Sequence, residues 1–187
     1  MEALFTSTVL VALAEIGDKT MLLAIVLAAR FRRPLPIIAG IFLATILNHA
    51  LAAWAGTLAA DFFAGRTFRI VVAASFIAMG LWTLVPDKFE DDDVPASTIR
   101  SAFLTTLTAF FVVEMGDKTQ LATVALGAQY HDVLAVAAGT TLGMMIANVP
   151  AVLLGDALVK RVSLTAVRFA AAALFVAAGI WMLVAAL

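Results

Sequence analysis

Long charge-free apolar stretches constrain this chain most. Residues 37–60, 133–155 and 169–187 contain no Asp, Glu, Lys or Arg. A helix needs about 20 mostly apolar residues to cross about 30 Å of hydrocarbon at 1.5 Å per residue. Six stretches fit that requirement, near 4–29, 35–59, 69–86, 101–128, 133–158 and 166–187. They are continuous and rich in Ala and Leu, whereas membrane β-strands are shorter and alternate apolar with polar residues. The expected class is therefore an all-α membrane protein with six transmembrane helices. Hydrophobic residues make up 64% of the chain and charged residues 13%, which excludes a disordered chain and leaves no room for a separate soluble domain. A net charge of −1 offers no basic field for nucleic acid. The absence of Cys excludes disulfides, thiolate metal sites and thiol nucleophiles. The first stretch does not read as a cleaved signal peptide, because it has no basic leader and Glu15, Asp18 and Lys19 interrupt it.

The chain is a tandem duplication with a constant offset of 99 residues. Glu15-Ile16-Gly17-Asp18-Lys19-Thr20 matches Glu114-Met115-Gly116-Asp117-Lys118-Thr119, Gly40 matches Gly139, and Gly56 matches Gly155. Residues 69–85 share nine of 17 positions with 168–184, among them Arg69/Arg168, Phe76/Phe175, Gly80/Gly179 and Trp82/Trp181. Chance likeness between apolar helices would reproduce Ala and Leu, not a polar hexapeptide in one register with glycines and tryptophans. Each copy holds three helices, an odd number, so the second copy enters the membrane from the opposite side. The expected organisation is one integral membrane domain of two inverted three-helix repeats, 1–86 and 101–187, joined by an acidic linker at 87–100. Such repeats are common in secondary transporters.

Basic residues set the orientation. Arg66 and Arg69 fall on the side of the two termini, while Arg30, Arg32, Arg33, Lys88, Arg100, Lys160, Arg161 and Arg168 fall on the other. That bias places both termini outside and the 87–100 loop in the cytoplasm. The loop carries Glu90, Asp91, Asp92 and Asp93, which read either as a solvated linker or as a collector of cations.

The two acidic motifs carry the chemistry. Glu15 and Asp18 share one helix face at i and i+3, and Glu114 and Asp117 repeat the arrangement. Each charge near the middle of a span costs at least about 2.5–3.5 kcal/mol on insertion scales. Inverted symmetry brings the two faces together, so that four carboxylates converge on one cavity. Lys19 and Lys118 return two positive charges, and the remaining −2 suits one divalent cation. Protons can fill the same cavity, since crowded carboxylates resist joint ionisation. Metal and protons would then move in opposite directions by alternating access. The oxygen ligands on offer are the four carboxylates with Thr20, Thr119, Gln120, Asn48 and Asn148, a set that favours Ca²⁺ or Mn²⁺ over Cu or Zn. Mg²⁺ sheds water too reluctantly to fit as well. Gly17 and Gly116 let the helix unwind or let a partner helix approach closely. The structural alternative is that Glu15–Lys19 and Glu114–Lys118 merely neutralise each other at i,i+4; otherwise the lysines tune the charge of the site or gate it with an Asp.

The supporting residues admit two readings each. Asn48 and Asn148 suit helix–helix hydrogen bonds or ligation. His49, which aligns with Asn148, suits packing or a proton relay. Gly139 and Gly143 suit close helix packing, Pro150 a kink, and Trp82 and Trp181 interfacial anchoring. His131 receives no role.

With its motifs EIGDKT and EMGDKT the chain resembles the small cation/proton antiporters that carry two E-x-G-D-[KR]-[ST] motifs, a family with Golgi Ca²⁺/Mn²⁺ transporters and bacterial manganese exporters. The resemblance covers the whole chain. It implies export of Mn²⁺, or next Ca²⁺, from the cytosol in exchange for H⁺, with Glu15, Asp18, Glu114 and Asp117 as the metal and proton site. Thr20, Thr119 and Gln120 would line it, and Gln120 stands where the first copy has Met21, so the site need not be symmetric. No prosthetic group is expected; the metal is the cargo and H⁺ the counter-ion. The expected partners are a divalent metal ion and the lipid bilayer, with a homo-oligomer left open. A bacterial plasma membrane is the expected location. The alternatives are an exporter of another small cation or an amino acid, and a metal-dependent intramembrane enzyme, which the lack of a His-rich metal site disfavours.

Overall fold

Glycine at position 17 decides how the first apolar stretch folds. In the computed structural model, which describes residues 1–63, 65–85, 101–155 and 163–187, that stretch is two short helices, α1 (Glu2–Glu15) and α2 (Lys19–Phe31). Between them Ile16 is extended, Gly17 has φ +88°, and Asp18 is extended again. Side chains rarely tolerate that positive φ, so glycine is needed there. The fourth stretch breaks the same way, into α5 (Ala102–Glu114) and α6 (Lys118–Tyr130), with Gly116 at φ +82°. Both second halves end on a left-handed residue, Arg32 at φ 50° and His131 at φ 52°, whose numbers differ by the same 99. The stretches near 4–29 and 101–128 are thus not the continuous helices expected of them. Each is a broken helix, and neither half alone is long enough to cross a bilayer.

The other four helices are α3 (Pro34–Phe62), α4 (Arg66–Thr83), α7 (Val133–Leu154) and α8 (Leu164–Ala186). All four are long and apolar enough to span a membrane. Pro34 opens α3 at a position where its missing N–H costs nothing, and Pro150 lies inside α7. The described residues contain eight helices and no strand. The linker at 87–100, with Glu90, Asp91, Asp92 and Asp93, lies outside the described residues, as do Lys160 and Arg161.

Helix packing follows the repeat. A shift of 99 exchanges α1 with α5, α2 with α6, α3 with α7 and α4 with α8. α1 packs on α7 and α5 on α3; α2 packs on α7 and α6 on α3; α3 packs on α7, and α4 on α8. Small residues set the close approaches. A Cβ on Gly40 would strike the α5 backbone at Phe103, and one on Gly139 would strike the α1 backbone at Leu4, the equivalent residue. Gly80 and Gly179 meet the carbonyls of Ala172 and Ala73 in the same reciprocal way, and the rings of Phe76 and Phe175 pack tilted at 40° with centroids 6.0 Å apart. Lipid supplies no hydrophobic drive between helices, so this close contact is what holds them.

The core divides into two apolar clusters. One gathers α1, α4, α6 and α8 with parts of α3 and α7, through Leu10, Phe76, Leu126 and Phe175. The other gathers α2 and α5 with the remaining parts of α3 and α7, through Leu23, Leu27, Ile41 and Phe110. From the α4–α8 pair it receives only Leu164, the first residue of α8, at its margin. Large apolar side chains such as Phe42, Leu51, Trp54 and Trp181 face outward, as a lipid-facing surface requires.

Candidate metal centre at the two helix breaks

The breaks bring the acidic motifs together. Glu15 ends α1 and Glu114 ends α5, and both side chains are fully buried. Asp18 and Asp117 are the N-caps of α2 and α6 and are nearly as buried. Glu15, Glu114 and Asp117 each offer a carboxylate oxygen within 4.8 Å of the other two. Asp18 stands outside that group. The arrangement therefore joins both halves but is not symmetric: three of the four expected carboxylates converge, and the fourth turns aside.

Both aspartates pair with the lysine of the opposite motif. Lys118 Nζ lies 3.5 Å from Asp18 Oδ1, and Lys19 Nζ lies 3.6 Å from Asp117 Oδ1. Both pairs cross from one half of the molecule to the other. Pairing within one helix at i,i+4 requires a continuous helix between the partners, and the glycine breaks remove it. Such pairs tie the halves together where loss of one partner would strand a buried charge.

Threonines brace the glutamates. Thr20 Oγ1 donates to Glu15 Oε2 at 2.5 Å, and Thr119 Oγ1 donates to Glu114 Oε2 at 3.3 Å. Thr119 Oγ1 also lies 3.5 Å from Asp117 Oδ2. Glu15 Oε1 and Glu114 Oε1 are buried without accepting a hydrogen bond from the protein. Buried acceptors are rarely left so, and a cation is the partner that carboxylate oxygens fit best here. The positive N-terminal ends of α2 and α6 and the negative C-terminal ends of α1 and α5 meet at the same level, an arrangement found where broken membrane helices hold ions.

The remaining expected residues divide. Gln120 Oε1 accepts the N–H of Gly116 at 2.6 Å, so this amide seals the break. Met21 does the same in the first half, where the Gly17 N–H points to its Sδ at 3.4 Å. The Met21/Gln120 difference is thus two solutions to one orphaned backbone donor. Asn48 Nδ2 donates to the Phe111 carbonyl at 3.1 Å and fastens α3 to α5. Asn148 Nδ2 donates to the Met144 carbonyl at 3.1 Å, while its Oδ1 is buried without a donor. His49 is fully buried, with Nε2 3.7 Å from Glu114 Oε2.

The model of the family described as "Divalent cation/proton antiporter GDT1" matches residues 3–91 and 102–187. A Vibrio cholerae protein, provisionally named a manganese exporter, is 49% identical over 94% of this chain and 87% of its own. GDT1-like protein 5 of Arabidopsis thaliana is 30% identical over 90% of this chain and 89% of its own. A GDT1-like protein of Synechocystis is 29% identical over 87% of each chain. No solved structure matches.

Proposed function

Since the chain belongs to the GDT1 family of divalent cation/proton antiporters, and is thus a cation transporter rather than an enzyme, we propose that it exports Mn²⁺ from the cytosol in exchange for protons. Ca²⁺ is the next candidate cargo. The observation that carries the reading is the convergence of Glu15, Glu114 and Asp117 within 4.8 Å, buried, at two helix breaks. Three oxygens at that spacing can share one ion. Once the ion leaves, protons compete for the same oxygens, because close carboxylates resist joint ionisation. Asp18 serves the site as a fourth ligand when Lys118 releases it. Thr20 and Thr119 hold the glutamates in place, and the two lysines tune the charge. The membrane is the bacterial plasma membrane, with both termini outside and 87–100 in the cytoplasm.

The packing supports two inverted three-helix repeats, with the broken pairs α1–α2 and α5–α6 each counting as one span. It also supports alternating access. With the termini outside, α1 and α6 lie in the outer half of the membrane and α2 and α5 in the inner half. Every packing pair but two, α1 with α8 and α4 with α6, has its exchanged counterpart, although α6 packs on α3 far more extensively than α2 packs on α7. The counterparts of those two exceptions, α5 with α4 and α2 with α8, have no comparable packing. Among the described residues the α4–α8 pair therefore leans on the outer-half helices and touches the inner half only through Leu164. The opposite lean is the same structure with the halves exchanged, and rocking between the two would open the carboxylates to each side in turn.

Transport in liposomes tests this function. Purified protein should accumulate Mn²⁺ against its gradient when the proton gradient is imposed in the opposite direction. Mn²⁺ flux indifferent to that gradient would refute proton exchange, and absence of Mn²⁺ flux would refute the cargo.

A further inference from the structure

Resting on the reading of the carboxylate cluster as a transport site, we propose that His49 gives the cargo a nitrogen donor and so sets the preference of the site for Mn²⁺ over Ca²⁺ and Mg²⁺. The ring is fully buried on α3, and neither Nδ1 nor Nε2 makes a hydrogen bond with the protein. Buried polar groups are seldom left unpaired, so packing alone explains this ring poorly. Its Nε2 lies 3.7 Å from Glu114 Oε2. That separation is too long for a hydrogen bond. It is the spacing of two donors on one ion, which sit about 3–4.5 Å apart when each is about 2.1–2.3 Å from the metal.

Ligand softness gives the consequence. Glu15, Glu114 and Asp117 alone make an all-oxygen set, which Ca²⁺ and Mg²⁺ share with Mn²⁺. One imidazole tilts such a set toward first-row transition metals, because Ca²⁺ and Mg²⁺ gain little from nitrogen. The three carboxylates approach one another without the ring, so His49 joins by closing onto an ion held at Glu114. The equivalent position in the second half is Asn148, an oxygen donor, so nitrogen enters the site from one side only. His49→Asn therefore converts the first half to the donor type of the second with little change of shape.

Mn²⁺ is its own probe. Pulsed electron paramagnetic resonance of Mn²⁺ bound to the purified full chain should show nitrogen-14 modulation from a directly bound imidazole. The chain has two histidines, so His131→Asn should keep the signal and His49→Asn should lose it. In competition, Ca²⁺ should displace Mn²⁺ from His49→Asn at a concentration at least tenfold lower than from the parent. Parent protein that binds Mn²⁺ without nitrogen modulation would overturn the proposal and leave the transport site standing. An unchanged Ca²⁺/Mn²⁺ ratio in His49→Asn would do the same. Parent protein that binds no Mn²⁺ would sink both. Where the variant fails to fold, the parent spectrum alone decides.

Discussion

On the proposed reading, single side chains at the breaks carry the chemistry, and they add to the cost of the fold. Glu15 and Glu114 are buried in a span where charge is expensive, and only a bound cation or proton explains them both. Glu15→Gln and Glu114→Gln should each abolish Mn²⁺ transport while the protein still reaches the membrane, as vesicle flux and surface labelling would show. The cross-half ion pairs make a separate prediction. Lys118→Met leaves Asp18 without its cross-half partner and should cost about 3 kcal/mol, the low end for breaking a buried pair. Adding Asp18→Asn should recover most of that loss in a thermal unfolding series in detergent. The sequence made the acidic residues legible because charge in an apolar run has few explanations. It could not reveal which Lys meets which Asp, since that depends on how two segments 99 residues apart face each other.

At the level of helices, the decisive elements are the two interrupted ones. Their glycines sit at positive φ in both halves, and the flanking Ile16 and Met115 share nearly the same backbone angles. Around Gly116 a Cβ would meet nothing within 4 Å, whereas one on Gly17 would press on Leu164. Gly116→Ala thus isolates the backbone term and should destabilise the protein by about 1–2 kcal/mol. Gly17→Ala should cost more, and a comparison of unfolding midpoints would show the order. The six apolar stretches were readable from length and composition. Unwinding at the glycines was one of two readings open from sequence, because a glycine in a helix signals either a break or a close approach. Gly40 and Gly139 took the second option, and nothing in the local sequence separates the two cases. Gln120 was expected to line the site because its amide can ligate, yet the nearest demand on it is the free N–H that the break creates.

Across the whole molecule, the duplication is visible in packing as it is in sequence, and the α4–α8 pair departs from it by packing on α1 and α6 without comparable packing on α5 and α2. Natural absence of Cys makes this directly measurable. Val9 and Ala178 line one groove between α1 and α8; their exchanged counterparts are Thr108 and Met79. Cysteines at 9 and 178 should be bridged by a short bifunctional thiol reagent in this state, and cysteines at 108 and 79 should be bridged only when the pair leans the other way. Changing Mn²⁺ and pH should shift yield between the two pairs, and a yield fixed under all conditions would show that α4–α8 does not move. The deeper claim is that two halves share a single site, and equilibrium binding of Mn²⁺ to purified protein tests it most directly. One ion per chain is predicted, lost entirely in Glu15→Gln and equally in Glu114→Gln. Two ions per chain, or one ion retained when either glutamate is removed, would contradict it.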